Sequence, residues 1–357
     1  MSPNNKQQPE SLEMMIQEVD RFVDGLAKAV KTKLKVPSGF NKMIFCGMGA
    51  SAMTGDIIAD AALMSWDVPV QVIRSTGIPN WADELTLVVA SSYSGNTRET
   101  LMMYDQAKAR GCKIIAIAAG GELWDKCIKD GNKLIEVNAV MQPRSAVGYV
   151  IGYLANIVEA AGGPKIRTEI SKLLPELRRY RGSIWTRNPD SPAKDIAERL
   201  HGIVPAIYAT GPLSSSAIRW KNQINENAKM IAFNGAIPEL NHNEIVGWAE
   251  CIQRSKCRPV FLCENETPDA VRSMMHESID IMRASGIDPV TVTIEGRTAL
   301  ERSLKAVMLG DYVSMFLAAM KGVDPMDVAS IKSFKKRLAA LLGRKKAPAP
   351  KQKKAGK

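Results

Sequence analysis

The feature that most restricts the fold is a repeated alternation of short apolar runs with longer amphipathic stretches. Five such runs precede residue 140: KMIFCGMG, VPVQVI, LTLVVA, KIIAIA and KLIEV. Continuous apolar runs are typical of parallel strands that helices cover on both faces. The pattern restarts near residue 201 with VPAIYATGPLSSS, RPVFLCE and PVTVTIE. We therefore predict an α/β protein of two tandem, doubly wound domains with parallel sheets flanked by helices.

A polar stretch, LRRYRGSIWTRNPDSPAKDIAERLHG, separates the two sets of runs. We expect an N-terminal helix and the first domain over residues 1–162, a helical linker region over 163–200 and the second domain over 201–342. The segments IFCGMGASAMTGD and IYATGPLSSSAIRW share one order of strand, glycine turn, hydroxyl residues and helix start. This order suggests two copies of one α/β unit, but only the first copy contains a loop like SSYSGNT.

The net charge of +11 is concentrated in the last residues of the sequence. From Arg344 onward, RKKAPAPKQKKAGK carries seven positive and no negative side chains, which leaves 11 − 7 = +4 for the rest. Such a composition lacks the apolar residues needed to fold, so 343–357 is predicted to be a disordered basic tail. It is either an electrostatic arm for RNA or acidic partners or a solubilising extension. No aromatic residues interleave its charges, so no nucleic-acid partner is required.

Other classes of protein are disfavoured by composition. The apolar runs are shorter than the roughly 20 residues that span a bilayer, and the polar start MSPNNKQQPE lacks a signal-peptide core. We expect a cytoplasmic protein with no membrane partner. The six cysteines form no C-x-x-C pair, and the three histidines are scattered. Reduced thiols and no metal site are therefore expected.

Two loops at strand ends carry the candidate ligand site. Ligands of open parallel sheets bind beyond the carboxyl ends of strands, where GMGASAMTGD and SSYSGNTRET lie. Hydroxyls and backbone N–H groups at helix starts suit the oxygens of a phosphate monoester. We expect Gly95 to let the backbone turn close to the ligand and Thr97 to begin a helix.

The first loop alone also fits a dinucleotide fingerprint, because Gly47, Gly49 and Ala52 have the spacing G-x-G-x-x-A. Arg74 follows the next strand and would suit a ribose 2′-phosphate, so an NADP-dependent oxidoreductase is an alternative. Ser51 and the serine-rich second loop have no role in a pyrophosphate turn. An ordinary Ser/Thr helix cap explains one or two of these hydroxyls, but not two loops of them.

Six motifs in order resemble one known family. They are GMGASAMTGD, SYSGNTRET, QPRSAVGY, RWKNQINENAK, PELNHNEIVGW and GDYVSMFLA…GVDPMDVASIKSFK, and the match around them extends from about residue 10 to residue 342. Together they resemble the bifunctional phosphoglucose/phosphomannose isomerases of the sugar isomerase (SIS) domain superfamily. One departure is Ala50, where the family usually has glycine. The basic tail lies outside the family pattern.

The resemblance implies a role for each matching residue. The phosphate would be held by Ser51 of the first loop, beside Gly49, and by Ser92, Ser94 and Thr97 of the second. Arg144, in the P-R-x-A motif, would lie near the reacting carbons. Glu226, in N-E-N-A-K, would be the general base. His242, in L-N-H-N-E, would open the sugar ring from the other subunit of a homodimer, with help from a lysine of the C-terminal helix. No cofactor is implied.

The residues themselves give these roles partial support. In AIRWKNQINENAKMI, Ala217, Lys221, Ile224, Ala228 and Ile231 follow helical spacing, whereas Glu226 belongs to the opposite, polar face with Arg219, Asn222, Gln223 and Lys229. A glutamate there is more often a solvated charge. His242 lies where Pro238, Asn241 and Glu244 indicate a helix start, which favours a neutral imidazole. Without the resemblance, His242 could equally be a capping-region residue.

Helical geometry selects the lysine. In VASIKSFKKRLAALL, the apolar stripe comprises Val328, Ile331, Phe334, Leu338 and Leu342. At 100° per residue, Lys335 lies about 40° from Ile331, whereas Lys332 and Lys336 lie at about 100° and 140°. We therefore expect Lys335 alone to face inward with the stripe. A charged residue on an apolar face is costly without a partner, which makes it a functional candidate.

The combined prediction is a metal-independent aldose–ketose isomerase of glucose 6-phosphate, mannose 6-phosphate and fructose 6-phosphate. Phosphate anchoring would precede ring opening and proton transfer by Glu226 through an enediol(ate). The alternatives are a non-catalytic SIS sensor of sugar phosphates, which would use the basic tail, and the NADP-dependent oxidoreductase.

Overall fold

The structure is a computed structural model that describes residues 4–137, 141–250, 255–264 and 266–344, with the side chains of 4–9 and 342–344 excluded. The predicted basic tail, apart from 343–344, lies outside the described residues. Two compact units are present, Met1–Pro325 and Met326–Lys357. The first contains both sheets, and the described part of the second contains one helix.

The first sheet is parallel and has five strands in the order β2-β1-β3-β4-β5. Its strands are β1 Lys42–Cys46, β2 Val70–Ile73, β3 Thr86–Ser91, β4 Lys113–Ala118 and β5 Lys133–Glu136. All five were predicted from apolar runs. The central strand β3 is buried along its entire length, as expected for a strand covered on both faces.

The second sheet is also parallel, with four strands in the order β7-β6-β8-β9. Its strands are β6 Val204–Thr210, β7 Phe233–Ile237, β8 Cys257–Cys263 and β9 Val290–Thr293. Three were predicted, and β7 was missed. Its sequence FNGAI contains Asn and Gly, and most of its residues are exposed at the sheet edge, so it has no continuous apolar run.

Thirteen α-helices occur among the described residues. They are α1 Asn4–Asp20, α2 Phe22–Ala29, α3 Ala50–Ala62, α4 Arg98–Ala109, α5 Gly121–Lys129, α6 Val147–Ala160, α7 Ile166–Ile184, α8 Pro192–Leu200, α9 Ser214–Asn227, α10 Glu244–Ala249, α11 Asp269–Ala284, α12 Ala299–Lys321 and α13 Ala329–Arg344. The predicted N-terminal helix is therefore two helices, separated at Arg21. The two-domain α/β architecture with flanking helices is confirmed.

Helix α12 lies at the centre of the second half and packs against α7, α8 and α9. It is long and apolar enough to cross a membrane, but 83% of its most apolar window is buried inside the protein. Its charged side chains have internal partners, among them Glu301 with Lys305 at 2.7 Å. These contacts identify α12 as a core helix, which the apolar runs did not predict.

Candidate functional site

Two loops meet at the carboxyl edge of the first sheet. Strands β1 and β3 are parallel neighbours with Cys46 opposite Ala90, so the segments that follow them emerge side by side. At Gly47 the contact is close, because an added Cβ would lie 3.1 Å from both the Ser51 Cβ and the Ser91 carbonyl oxygen. The two predicted ligand loops therefore form one continuous surface.

The first loop leads into α3 without a side-chain cap. Gly49 is the N-cap residue, with φ of 54° and no side-chain hydrogen bond to the helix. Ser51 lies in the first turn, where a helix start leaves backbone N–H groups without intrahelical partners, and the Ser51 N–H itself donates to the Met48 carbonyl oxygen at 3.2 Å. Ala50, the departure from the family pattern, is the first residue of α3 and does not have a positive φ. Its methyl group therefore causes no backbone strain.

The second loop also leaves a helix start uncapped. Thr97 is the N-cap of α4, one residue before the helix begins, and its side chain makes no capping bond. Its hydroxyl instead accepts a hydrogen bond from Ser92 Oγ at 2.9 Å. Ser94 is exposed, and its Oγ accepts a bond from the Asn96 backbone N–H at 3.3 Å. The hydroxyls are thus ordered among themselves, while the first N–H groups of α4 remain without a side-chain cap.

Gly95 is required by the shape of this loop. Its φ is 65°, and an added Cβ would lie 1.7 Å from the Gly120 carbonyl oxygen, closer than any real contact. The neighbouring Asn96 accepts a bond from the Glu122 backbone N–H at 3.1 Å, which ties the loop to the start of α5. The predicted close turn at Gly95 is present, although its nearest neighbour is another backbone segment.

Arg144 is buried in a 3₁₀ turn, Pro143–Ser145, and is held by both halves of the chain. Its Nε donates to Asn227 Oδ1 at 2.8 Å, and its Nη2 donates to the Pro325 carbonyl oxygen at 2.5 Å. Its Nη1 lies 3.7 Å from Glu226 Oε2. Burial lowers the pKa of the Arg144 guanidinium below its ordinary value, and the nearby Glu226 opposes that shift.

Glu226 lies in the last turn of α9, next to Asn227. Its side chain is 34% exposed, whereas that of Arg144 is 4% exposed, so the carboxylate lies at the accessible side of the pair. The structure therefore brings together Arg144 and Glu226, which are 82 positions apart in the sequence. An accessible carboxylate beside a buried cation can accept a proton from a bound ligand.

The prediction of a polar, solvent-facing side of α9 is wrong in one respect. Arg219 and Gln223, expected opposite the apolar residues, are buried, because α12 covers that face. Arg219 forms a buried ion pair with Asp311 of α12, with Nε and Oδ1 2.7 Å apart. Its Nη2 also donates to the Arg144 carbonyl oxygen at 2.8 Å. Polar residues on one face of a helix are compatible with solvent or with a neighbouring helix that carries complementary charges. The sequence pattern alone does not say which of the two lies there.

Two residues that the sequence did not single out connect Arg144 to the rest of the site. The Tyr93 hydroxyl, in the second loop, donates to the Met141 carbonyl oxygen at 2.7 Å and lies 3.2 Å from the Met141 backbone N–H. Glu18 of α1 accepts bonds from the Gln142 backbone N–H at 3.0 Å and from Ser145 Oγ at 2.7 Å. The sequence could have indicated Tyr93, because it lies within the loop SSYSGNT. Nothing in the sequence linked Glu18 to this turn.

His242 is exposed at the end of a 3₁₀ turn, Glu239–His242. The helix predicted here begins two residues later, where Asn243 caps α10 by accepting a bond from the Glu244 backbone N–H at 2.6 Å. His242 takes no part in the hydrogen bond between Arg144 and Asn227 or in the ion pair between Arg144 and Glu226. Among the described residues of one chain, no hydrogen bond or ion pair joins His242 to Arg144 or Glu226.

Lys335 lies on α13 and is exposed. The expectation that the stripe of α13 faces inward is not met within this chain, because Ile331 and Phe334 are 41% and 65% exposed. The side chain of Leu342, the last member of the stripe, lies outside the described side chains.

Two features bear on cofactors and metals. Arg74, the candidate partner of a ribose 2′-phosphate, forms an ion pair with Asp56 of α3. Its charge is thus already compensated, which disfavours the NADP alternative.

Among the described residues, no three His, Cys, Asp or Glu side chains are grouped so that they could hold one metal ion. Three of the described cysteines, Cys46, Cys112 and Cys127, are buried and free.

Comparisons with known proteins show which family the chain resembles. Residues 39–123 match the SIS domain family, and residues 189–338 match the family described as bacterial phospho-glucose isomerase C-terminal SIS domain. The chain is 31% identical over 326 residues to a bifunctional phosphoglucose/phosphomannose isomerase of Aquifex aeolicus, covering 90% of this chain and 99% of the relative. A protein of the same name from Caldicellulosiruptor bescii is 35% identical, covering 88% and 94%.

One solved structure supports the fold alone. The C-terminal domain of glucosamine-fructose-6-phosphate aminotransferase from Francisella tularensis superposes with a TM-score of 0.67 at 14% identity. The match covers 87% of this chain and 96% of that chain. At such low identity the similarity extends to the arrangement of the two parallel sheets and not to the chemistry.

Proposed function

Because the chain belongs to the family of bifunctional phosphoglucose/phosphomannose isomerases, we propose that it interconverts glucose 6-phosphate and mannose 6-phosphate with fructose 6-phosphate. The chain is a sugar-phosphate aldose–ketose isomerase. The observation that carries the finer proposal is the Arg144–Glu226 pair, with an accessible carboxylate 3.7 Å from a buried guanidinium.

The first SIS domain, residues 1–162, holds the phosphate in this proposal. Ser51, Ser92, Ser94 and Thr97 donate hydroxyl hydrogen bonds, and Gly49 gives the ligand access to the backbone. Uncapped starts of α3 and α4 support this role, because their N–H groups and helix dipoles favour an anion. Residues 163–200 connect this domain to the second SIS domain, residues 201–342, which supplies the proton-transfer chemistry.

Glu226 acts as the base in the second step. Its carboxylate removes the proton from C2 of the open-chain aldose, which leaves an enediolate with its negative charge on O1. The O2 hydroxyl proton then moves to O1, and Glu226 returns the first proton to C1 as the C2 carbonyl forms, which gives the ketose. Arg144 stabilises the negative charge that develops on the enediolate oxygens. Because C2 is planar in the enediolate, rotation about C2–C3 would present either epimer to the one base, which accounts for both aldose substrates.

Ring opening is assigned to His242 and Lys335, with His242 supplied by a second copy of the chain. The exposed position of His242 is consistent with donation across an interface. Its neighbouring elements, β7 and α10, expose Phe233 and Val246, and α13 exposes Phe334. Exposed apolar patches of this kind are typical of surfaces that a partner covers. We propose a homodimer, in the cytoplasm, with no cofactor.

The test of this proposal is exchange at C2. Glu226→Gln should lower isomerisation and the exchange of C2 deuterium by about 10²–10⁴-fold while sugar-phosphate binding persists. Glu198→Gln, which changes an exposed carboxylate on α8, is the control and should leave both rates unchanged. Retained isomerisation in Glu226→Gln would remove Glu226 as the base and with it the proposed mechanism.

A further inference from the structure

Lys229 has a left-handed backbone conformation, which residues other than glycine rarely adopt. Among the residues that the structure describes, it alone has a positive φ without being glycine, at 53°. It follows the C-cap residue Ala228 at the end of α9, and the turn closes with a bond from the Met230 backbone N–H to the Ile224 carbonyl oxygen at 3.4 Å. Glycine is the usual residue at this position of a helix end, since a Cβ is strained there.

The side chain of Lys229 returns to the candidate site. Its Nζ donates to the Glu226 carbonyl oxygen at 2.5 Å and to the Pro325 carbonyl oxygen at 3.5 Å. The Pro325 carbonyl also accepts the bond from Arg144 Nη2. Two cations therefore share one carbonyl acceptor, and one of them also binds the backbone of the residue proposed as the base.

These contacts constrain how Arg144 meets Glu226. Nε of Arg144 is engaged by Asn227 and Nη2 by Pro325, which leaves Nη1 facing the Glu226 carboxylate at 3.7 Å. A guanidinium free to turn would form a bidentate ion pair with that carboxylate. Such a pair would stabilise the charged form of the carboxylate and occupy the lone pairs that a base needs. The position of the Pro325 carbonyl therefore affects how closely Arg144 approaches the Glu226 carboxylate.

We propose that Lys229 is a positioning residue for proton transfer, and that its ammonium fixes the Pro325 carbonyl against the end of α9. Arg144 is thereby kept close to Glu226 without closing onto it. This role rests on the proposed function of Glu226 and Arg144. It also gives a reason for a strained lysine where glycine would complete the same turn at lower cost, since strained residues persist where their side chains are used.

Three variants of Lys229 separate the effect of its ammonium group on catalysis from the effect of its strained backbone on stability. Lys229→Gly removes both, so the melting temperature should equal or exceed that of the unchanged protein while kcat falls at least about 10-fold, as expected when reacting groups are misplaced. Lys229→Met removes the ammonium alone and should lower kcat to the same extent. Lys229→Arg should recover much of the lost kcat. KM for glucose 6-phosphate should change by less than about twofold in all three.

The control is Lys221→Met, which changes a lysine elsewhere on α9 and should preserve both kinetic constants. Unchanged kcat in Lys229→Gly beside an inactive Glu226→Gln would overturn the positioning role alone. Loss of kcat that follows a loss of melting temperature, with no recovery in Lys229→Arg, would indicate a purely structural residue and overturn it as well. An active Glu226→Gln would overturn the proposed base whatever the Lys229 variants do.

Discussion

The two halves of the chain use the carboxyl ends of their central strands differently. In the first half, the segments after β1 and β3 present hydroxyls and two helix starts without side-chain caps. In the second half, Glu264, which follows β8, forms a buried ion pair with Arg302 of α12, with Oε2 and Nε 2.5 Å apart. Ser303 donates to the Pro212 carbonyl oxygen at 2.9 Å in the turn after β6.

This difference shows how one architecture supports two tasks. In the second half, Glu264 and the Pro212 carbonyl at these strand ends are paired with residues of α12, so that edge is part of the packed interior. Helix starts without side-chain caps follow the strands of both halves, but in the first half the Ser91 hydroxyl, at the end of β3, is also buried without a partner among the described residues. Buried polar groups are normally paired, so an exception at a loop suits a place where a ligand completes the bonding.

The largest expected effect concerns the second half. Glu264→Gln should lower the free energy of unfolding by about 3 kcal/mol, because it leaves the buried Arg302 charge uncompensated. KM for glucose 6-phosphate should stay within about twofold, since this strand end is structural. Denaturant unfolding and steady-state kinetics measure the two quantities. A raised KM with intact stability would contradict the division between the halves.

A matched pair of serines tests the same division at the helix starts. Ser51 lies in the first turn of α3 and Ser214 in the first turn of α9. Ser51→Ala should raise KM about 10- to 100-fold, through loss of a hydrogen bond to a charged phosphate worth about 1.5–3 kcal/mol. Ser214→Ala should leave KM unchanged. Inhibition by inorganic phosphate should weaken in parallel with KM, and equal effects in the two variants would argue against a site confined to the first half.

The smallest expected effect concerns Asp60, on the face of α3 that packs against α9. Burial raises the pKa of Asp60 from 3.8 to about 6, a hydrogen bond from Ser215 opposes the shift and the nearby Asp56 adds to it. Between those pH values the folded state binds more protons than the unfolded state. The free energy of unfolding should therefore fall as pH rises through this window.

Asp60→Asn removes the free-energy cost of burying an ionised carboxylate and should stabilise the protein by about 1 kcal/mol at pH 8. It should have little effect at pH 4, where Asp60 is protonated in the folded state. Urea unfolding of both proteins at the two pH values provides the measurement. An equal difference at both pH values would show that ionisation of Asp60 does not weaken the packing of α3 against α9.

The sequence predicted those features that depend on local pattern. Apolar runs located eight of the nine strands of the described chain, and the loops after β1 and β3 were identified by their hydroxyls and glycines. The proximity of Arg144 and Glu226 was expected only from the resemblance to a family, because it depends on packing between distant segments. The environment of α9 was misjudged for the same reason, since its polar residues face the charges of α12.

The exposure of α13 shows a different limit. Its apolar stripe was correctly identified from periodicity, and the inward direction was inferred from the usual fate of such stripes. Periodicity gives the face of a helix on which apolar residues lie, but it does not say which chain covers that face. Ile331 and Phe334 remain exposed within one chain, so the position of Lys335 relative to Glu226 stays a prediction.

The hydrogen bond between Arg144 and Asn227 also bears on the origin of the protein. Arg144 comes from the first half of the chain and Asn227 from the second, next to Glu226. Under the proposed mechanism, neither half alone contains the reaction centre. An ancestor that encoded a single α/β unit could have bound a sugar phosphate, but it would have needed another polypeptide to supply the base. Fusion of two such units would have made that association permanent and heritable.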